Sequence, residues 1–299
     1  MKTFSSIHRK FAVDIGNSGA RIVALPDTGD VLPEPLRINW QFVASDGSVS
    51  AAKSALRDNS LDDGLRFRPD QCEWAERLNT IAEFGSPKQS PTQWWISSVN
   101  RPASEVLQSF LAKQDNCEVH WINYQTLPMS VEVDYPARVG IDRLLAALAA
   151  CHFCDQDRLI VIQAGSAVTV DLVERTGASS FGKPFRFSGG AILPGVPMML
   201  QLLGRAADML PEIDANDLVN LPELPGKNTE AAMVAGCSSC LVGGVQHLVE
   251  RYRKQFGLPL PIILSGGDGP LLAPHLSSPI TMIPQLVMQG IRILASGSR

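Results

Sequence analysis

FAVDIGNSGARIVAL, residues 11–25, decides the fold. An apolar run, Phe11-Ala12-Val13, leads to Asp14 and Ile15. Gly16, Asn17, Ser18 and Gly19 follow, then Ala20 and Arg21, and a second apolar run extends from Ile22 to Leu25. The pattern reads as strand, tight turn, strand. Glycines in the turn have no Cβ, so backbone amides there approach an anion closely. Asp14, at the mouth of the first strand, is placed to hold a hydrated Mg²⁺ beside that anion. An ordinary Asn/Gly hairpin is the plainer reading of the same residues.

A second copy alters the balance. Leu159–Val173, LIVIQAGSAVTVDLV, is again an apolar strand ending in a polar residue, Gln163. An Ala164-Gly165-Ser166 turn follows, and an apolar strand returns. The copies lie in opposite halves of the chain. Two such hairpins, each holding part of a polyphosphate, imply a nucleotide gripped in a cleft between two similar domains.

The 299 residues suit two medium domains with their own cores. Hydrophobic residues at 45% and charged residues at 19% mark a globular chain. A net charge of −4 argues against a dedicated nucleic-acid binder. No apolar run reaches transmembrane length. MKTFSSIHRK, residues 1–10, lacks the apolar segment of a signal peptide and reads as a short leader before a cytoplasmic domain. Six cysteines include two C-x-x-C pairs, Cys151/Cys154 and Cys237/Cys240. Both pairs sit in apolar helical patterns, where i and i+3 cysteines share a face as small hydrophobes, and zinc binding is the minor reading.

Between the hairpins, residues 26–71 are broken by prolines and Asp/Gly/Ser clusters. Cys72–Phe84 has helical spacing, and Gln93–Val99, QWWISSV, reads as a buried strand. Asn100-Arg101-Pro102 opens a helix with Val106, Leu107, Phe110 and Leu111 on one face. Glu118–Tyr124 alternates like a strand, and Met129–Val139 is extended and broken by proline. Gly140-Ile141-Asp142-Arg143 then heads LLAALAACHF, apolar on nearly every side and expected to be buried. Asp142 in a first helical turn suits the macrodipole, with Arg143 as its partner; it is also where a general base would stand.

Phe185–Gly195 reads as a strand in which Gly189-Gly190 marks a close backbone approach or a bulge. Val196–Leu210 is helical by pattern, and 211–227 is loop-like. Thr229 is expected to cap a long helix whose Gly236, Gly243 and Gly244 permit close packing, within the chain or against a second subunit. Pro261–Leu264 is a buried strand running into Ser265-Gly266-Gly267, a turn that suits an adenine ring or a plain strand-to-helix connection. An amphipathic helix, Gln285–Ala295, ends the pattern.

Taken together these residues resemble the type III pantothenate kinase family of the actin/Hsp70/sugar-kinase superfamily. The resemblance rests on an ordered set: DIGNS at 14–18, GIDR at 140–143, AGSAVTVD at 164–171, GGAILPG at 189–195, GKNTEAAMVAG at 226–236 and SGG at 265–267. It implies an α/β fold of two similar ribonuclease H-like, actin-like domains with a nucleotide cleft between them, divided here as 1–139 and 140–299. It implies phosphorylation of the primary hydroxyl of pantothenate by ATP with Mg²⁺, the first step towards coenzyme A. Asp142 would be the base, and Arg143 would anchor the pantothenate carboxylate beside Gly140 and Ile141. Thr229 would reach pantothenate across a homodimer interface. Asp14 to Arg21 would wrap the ATP phosphates, joined by Gly165 and Ser166, with Gly266 and Gly267 at the adenine.

Two departures stand out. The family's second phosphate motif usually opens with an Asp associated with a monovalent cation, K⁺ or NH₄⁺. Here Gln163 offers a carbonyl oxygen but no charge. The family also often carries a Tyr three residues before the proline of its substrate motif. That slot is Val133, and Tyr135 lies two residues on; in a strand such a shift keeps the same face, so Tyr135 is expected to stand in. Two other readings of the scaffold are a kinase-like regulatory or binding protein, kept alive by Gln163, and a related kinase for another small hydroxylated substrate.

Overall fold

The computed structural model describes residues 10–26, 31–39, 41–43, 66–68, 91–176, 183–213, 219–257, 260–277 and 279–297. The helix expected over Cys72–Phe84 lies outside them. Two compact units divide the chain: Met1–Leu127 with Gly140–Leu145 and Val287–Arg299, and Pro128–Val139 with Ala146–Leu286.

The first unit is built on a five-stranded sheet. Its strands are β1 (Lys10–Ile15), β2 (Gly19–Ala24), β3 (Leu36–Asn39), β6 (Thr92–Ser98) and β7 (Cys117–Trp121), in the order β3-β2-β1-β6-β7. The hairpin strands and β3 are antiparallel, whereas β6 and β7 run parallel to β1. A separate two-stranded sheet pairs β4 (Gln41–Val43) with β5 (Arg66–Arg68). Strand alternation sends Phe11, Val13, Ile15, Ile22, Trp94 and Ile96 to one face. There they meet Ala103, Leu107 and Leu111 of α1 (Arg101–Leu111). Asn100 caps α1, its side chain accepting from the Ala103 amide at 3.2 Å.

The second unit repeats this plan. Its strands are β8 (Met129–Val131), β9 (Arg158–Ala164), β10 (Ala167–Arg175), β11 (Phe185–Pro194), β12 (Ile262–Ser265) and β13 (Ile280–Met282), ordered β13-β12-β9-β10-β11-β8. With β9 counted first and the added edge strand β8 set aside, both sheets read 3-2-1-4-5, and the strand directions agree. The sequence repeat of two hairpins is thus a repeat of two whole sheets, and the expected pair of similar α/β domains follows from strand order alone. One face of this sheet, with Ile160, Ile162, Val168 and Val170, packs on α3 (Val196–Ala206) and α4 (Thr229–Phe256).

The units differ in membership from halves cut at 139/140. β8 pairs in parallel with β11, which draws residues 128–139 into the second unit. In the first unit, a Cβ at Gly290 of α6 (Leu286–Gly297) would overlap the Leu145 carbonyl, so that helix seats directly on residues 140–145. Lys10 of β1 also donates to the Ala295 carbonyl at 3.0 Å.

Local expectations vary in outcome. Helix α2 (Ile141–Phe153) is buried from Leu144 to Ala150, as its all-round apolar pattern requires. The Gly189-Gly190 step is a close approach combined with a register shift on the facing strand between Asp171 and Val173. A Cβ at Gly190 would overlap Asp171 Oδ1. Helix α4 begins at Thr229, but its cap is Asn228, whose side chain accepts from the Ala231 amide at 2.8 Å. A side-chain acceptor one residue earlier reaches the same orphan amides, so Thr229 is the first helical residue and not the cap. Gly244 lies against Leu193, whereas a Cβ at Gly236 or Gly243 would meet open space. By length and composition α4 is long and apolar enough to cross a membrane. Its Met233, Leu241, Val245 and Val249 belong to the core against the second sheet.

Candidate active site

In the first unit, Asp14 sits one residue before the end of β1, paired across the hairpin with Arg21. The turn closes through the Gly16 amide donating to the Gly19 carbonyl at 2.8 Å, leaving Asn17 and Ser18 exposed at its tip. Ile15 and Ala20 turn their side chains into the α1 core, so only their backbone can serve a ligand. Asp14 points to the opposite face by alternation.

Asp142 stands at the head of α2, where its Oδ1 accepts from the Arg143 amide at 2.9 Å. Gly140 is what makes room for it: a Cβ there would overlap Asp142 Oδ1. A side chain at Gly140 would push the Asp142 carboxylate aside, so the Gly-x-Asp spacing also serves its placement. Ile141 is buried, while Asp142 and Arg143 are half-buried.

The charge of Asp142 acts on Asp14. Asp14 is 9% exposed, and its pKa is pushed up to about 6. Burial is the main cause and the negative Asp142 the second, opposed by Arg21 and by a hydrogen bond from Ser97. Burial also raises Asp142, opposed by the Arg143 amide and the Arg143 charge. Two acids that resist ionising, close to a glycine turn, form a site that favours a cation and holds a proton more readily than ordinary carboxylates do.

In the second unit, Gln163 holds the position in β9 that Asp14 holds in β1, facing Thr169 on β10 and Ser265 on β12. All three are neutral. The Gly165-Ser166 turn is exposed, its Gly165 amide donating to the Ala167 carbonyl at 3.2 Å. Two neighbours fix this turn. The Gly195 amide, at the start of α3, donates to the Ser166 carbonyl at 3.0 Å, and a Cβ at Gly195 would overlap the Gly165 carbonyl. From the other side, Gly266 has φ +105°, and a Cβ there would overlap the Ala164 carbonyl, to which the Asp268 amide also donates at 3.2 Å. Gly266 and Gly267 are exposed, and they lead through Asp268 into a short helix, α5 (Gly269–Leu272). The Gly-Gly turn and the Gly-Ser turn are thus one continuous backbone surface.

The remaining candidates are less closely tied. Thr229 is exposed on the first turn of α4. Tyr135 lies beyond the end of β8, 65% exposed, with the Arg138 guanidinium 4.8 Å from its ring centroid. The same-face argument linking it to Val133 does not apply, because the chain leaves strand geometry after Val131. Among the described residues, no cluster of His, Cys, Asp and Glu is arranged for a metal, and Cys151, Cys154, Cys237 and Cys240 are free thiols.

Three residues carry no sequence signal of their structural part, Ser97 in the first unit and Gly195 and Asn228 in the second. Ser97 was hidden inside a strand that reads as merely buried. Gly195 looked like a strand terminator. Asn228 was passed over for the adjacent Thr229.

Known proteins are similar to this chain over most of its length. The type III pantothenate kinase of Rhodopirellula baltica is 30% identical over 298 residues, covering 94% of this chain and 97% of its own. That of Cupriavidus taiwanensis is 32% identical over 306 residues, covering 96% and 97%. Among solved structures, the glucokinase of Balamuthia mandrillaris in complex with glucose aligns over 98% of this chain and 96% of its own, at 10% identity and a TM-score of 0.45. Residues 11–251 match the family described as type III pantothenate kinase, and this chain belongs to that family.

Proposed function

We propose that this protein transfers the γ-phosphoryl group of ATP to the primary hydroxyl of pantothenate, giving ADP and 4′-phosphopantothenate at the entry to coenzyme A synthesis. The observation that carries the reading is the placement of Asp142 at the head of α2 beside the Asp14 turn, with both carboxylates raised. Asp142 accepts the hydroxyl proton as the oxygen attacks phosphorus, and its raised affinity for protons suits that task. Arg143 holds the pantothenate carboxylate, with Gly140 and Ile141 shaping the pocket and Thr229 and Tyr135 completing it. The Gly16–Gly19 turn, with Asp14 and Arg21, serves the phosphates, and Gly165 and Ser166 add donors from the second hairpin. Gly266 and Gly267 form the adenine floor. Positioning and charge stabilisation supply most of the rate in such a reaction.

The residues present fit Mg²⁺. That ion is held by one or two carboxylates, with waters and substrate phosphates filling the other positions, and buried Asp14 beside half-buried Asp142 is a charge-seeking pair. When bound it neutralises charge on the transferring phosphoryl group. Gln163, Thr169 and Ser265 do not provide a charged ligand for a monovalent cation, and no step is assigned to one.

A homodimer is favoured by the apolar side chains that β11 and α3 leave exposed: Ile192, Met198, Leu202 and Leu203. A cytoplasmic location is consistent with ATP as co-substrate and with the reduced thiols Cys151, Cys154, Cys237 and Cys240. Coupled ADP release with pantothenate, with and without K⁺ or NH₄⁺, tests the whole reading. Asp142→Asn should retain the fold and ATP binding and lose turnover. Near-wild-type turnover in that variant would remove Asp142 from the role of base.

A further inference from the structure

We infer that Ser97 is a positioning residue, holding the Asp14 carboxylate in the orientation from which it serves Mg·ATP; this rests on the kinase reading above. Ser97 is fully buried on β6, and its Oγ donates to Asp14 Oδ1 at 3.2 Å. The two residues are direct neighbours in the parallel ladder of β1 and β6, so their side chains share a face.

A hydroxyl is a costly choice at a fully buried strand position unless it is bonded. The adjacent Ser98 shows the contrast. Its hydroxyl takes the Asn100 amide at 3.1 Å and the Ser104 hydroxyl at 2.6 Å, which ties it to the start of α1. Of two consecutive serines, one organises a helix start and the other turns to the carboxylate.

The second sheet supplies an internal control. Ser265 on β12 stands beside Gln163 as Ser97 stands beside Asp14. There the Ser265 hydroxyl accepts from the Leu286 amide, at 3.4 Å, at the start of α6. Both sheets place a serine at this register. The hydroxyl donates to its strand neighbour where that neighbour is a carboxylate. Hydrogen bonds of this kind to a metal-side carboxylate set its rotation and its basicity, and their loss typically costs about 10- to 100-fold in metal affinity or activity.

The test is calorimetric binding of ATP, without pantothenate, to wild type, Ser97→Ala and Ser97→Cys, each with Mg²⁺ and with EDTA. Wild type is expected to bind ATP more tightly with Mg²⁺. In Ser97→Ala that gain should fall about 10- to 100-fold, while binding in EDTA stays unchanged. The near-isosteric Ser97→Cys, a weaker donor, should show an intermediate loss, and it carries the test if the alanine variant does not fold. In steady state the half-saturating Mg²⁺ concentration should rise by more than kcat falls. A wild-type Mg²⁺ gain in both variants overturns the role of Ser97 and leaves the kinase reading standing. No Mg²⁺ gain in wild type overturns both.

Discussion

Replacing Asp14 by Asn should make the ligand-free protein more stable while removing its Mg·ATP-dependent activity. In the folded chain Asp14 is almost fully enclosed, faces Asp142, and has its pKa lifted from 3.8 to about 6. The folded state therefore binds a proton that the unfolded chain has released between those two values. Stability contributed by that proton is complete below 3.8 and is lost as pH rises through about 6. A lift of this size corresponds to about 3 kcal/mol at 25 °C, which ionised Asp14 costs the folded state above that range. Asn is neutral, close in shape, and still accepts from Ser97. The variant should gain about 3 kcal/mol at pH 7.5, and the gain should shrink to nothing below about pH 4. Urea unfolding of both proteins in EDTA, from pH 4 to 8, measures the difference, and an ADP-release assay records the loss of activity. Equal or lower stability of Asp14→Asn at pH 7.5, or a gain that does not vary with pH, would refute the electrostatic argument.

Three further outcomes follow from the packing. Gly140→Ala pushes a methyl group into Asp142 Oδ1, so turnover should fall about 100-fold with ATP affinity little changed, as kcat and calorimetry together would show. Asn228→Ala should cost α4 about 1 kcal/mol in thermal or urea unfolding, with Thr229→Ala costing less, because Asn228 makes the capping bond. Gly266→Ala meets both a positive φ and the Ala164 carbonyl. It should destabilise the fold by about 1–3 kcal/mol and weaken nucleotide binding, as denaturation and ATP titration would record.

The sequence alone determined what depends on neighbours along the chain. Two hairpins, period-two strands, the all-apolar helix after GIDR and the Asp at its head are local patterns, and each is legible because a strand or helix repeats its environment every two or 3.6 residues. The repeat was also visible, which announced two similar domains before any strand order was known. Parallel pairing, by contrast, leaves no local mark. Ser97 donates to a carboxylate 83 positions earlier, and nothing in QWWISSV shows which of its two serines faces Asp14. Strand periodicity would carry the face of Val133 on to Tyr135, but pairing with β11 ends β8 at Val131, and the chain turns before the period can reach it. The allocation of segments 128–139, 140–145 and 287–299 likewise depended on which sheet or helix they met. The turn at Gly165-Ser166 was legible as a turn, whereas its clamping by Gly195 and Gly266 was not. Those approaches join residues tens of positions apart, and only the folded backbone decides where a missing Cβ matters.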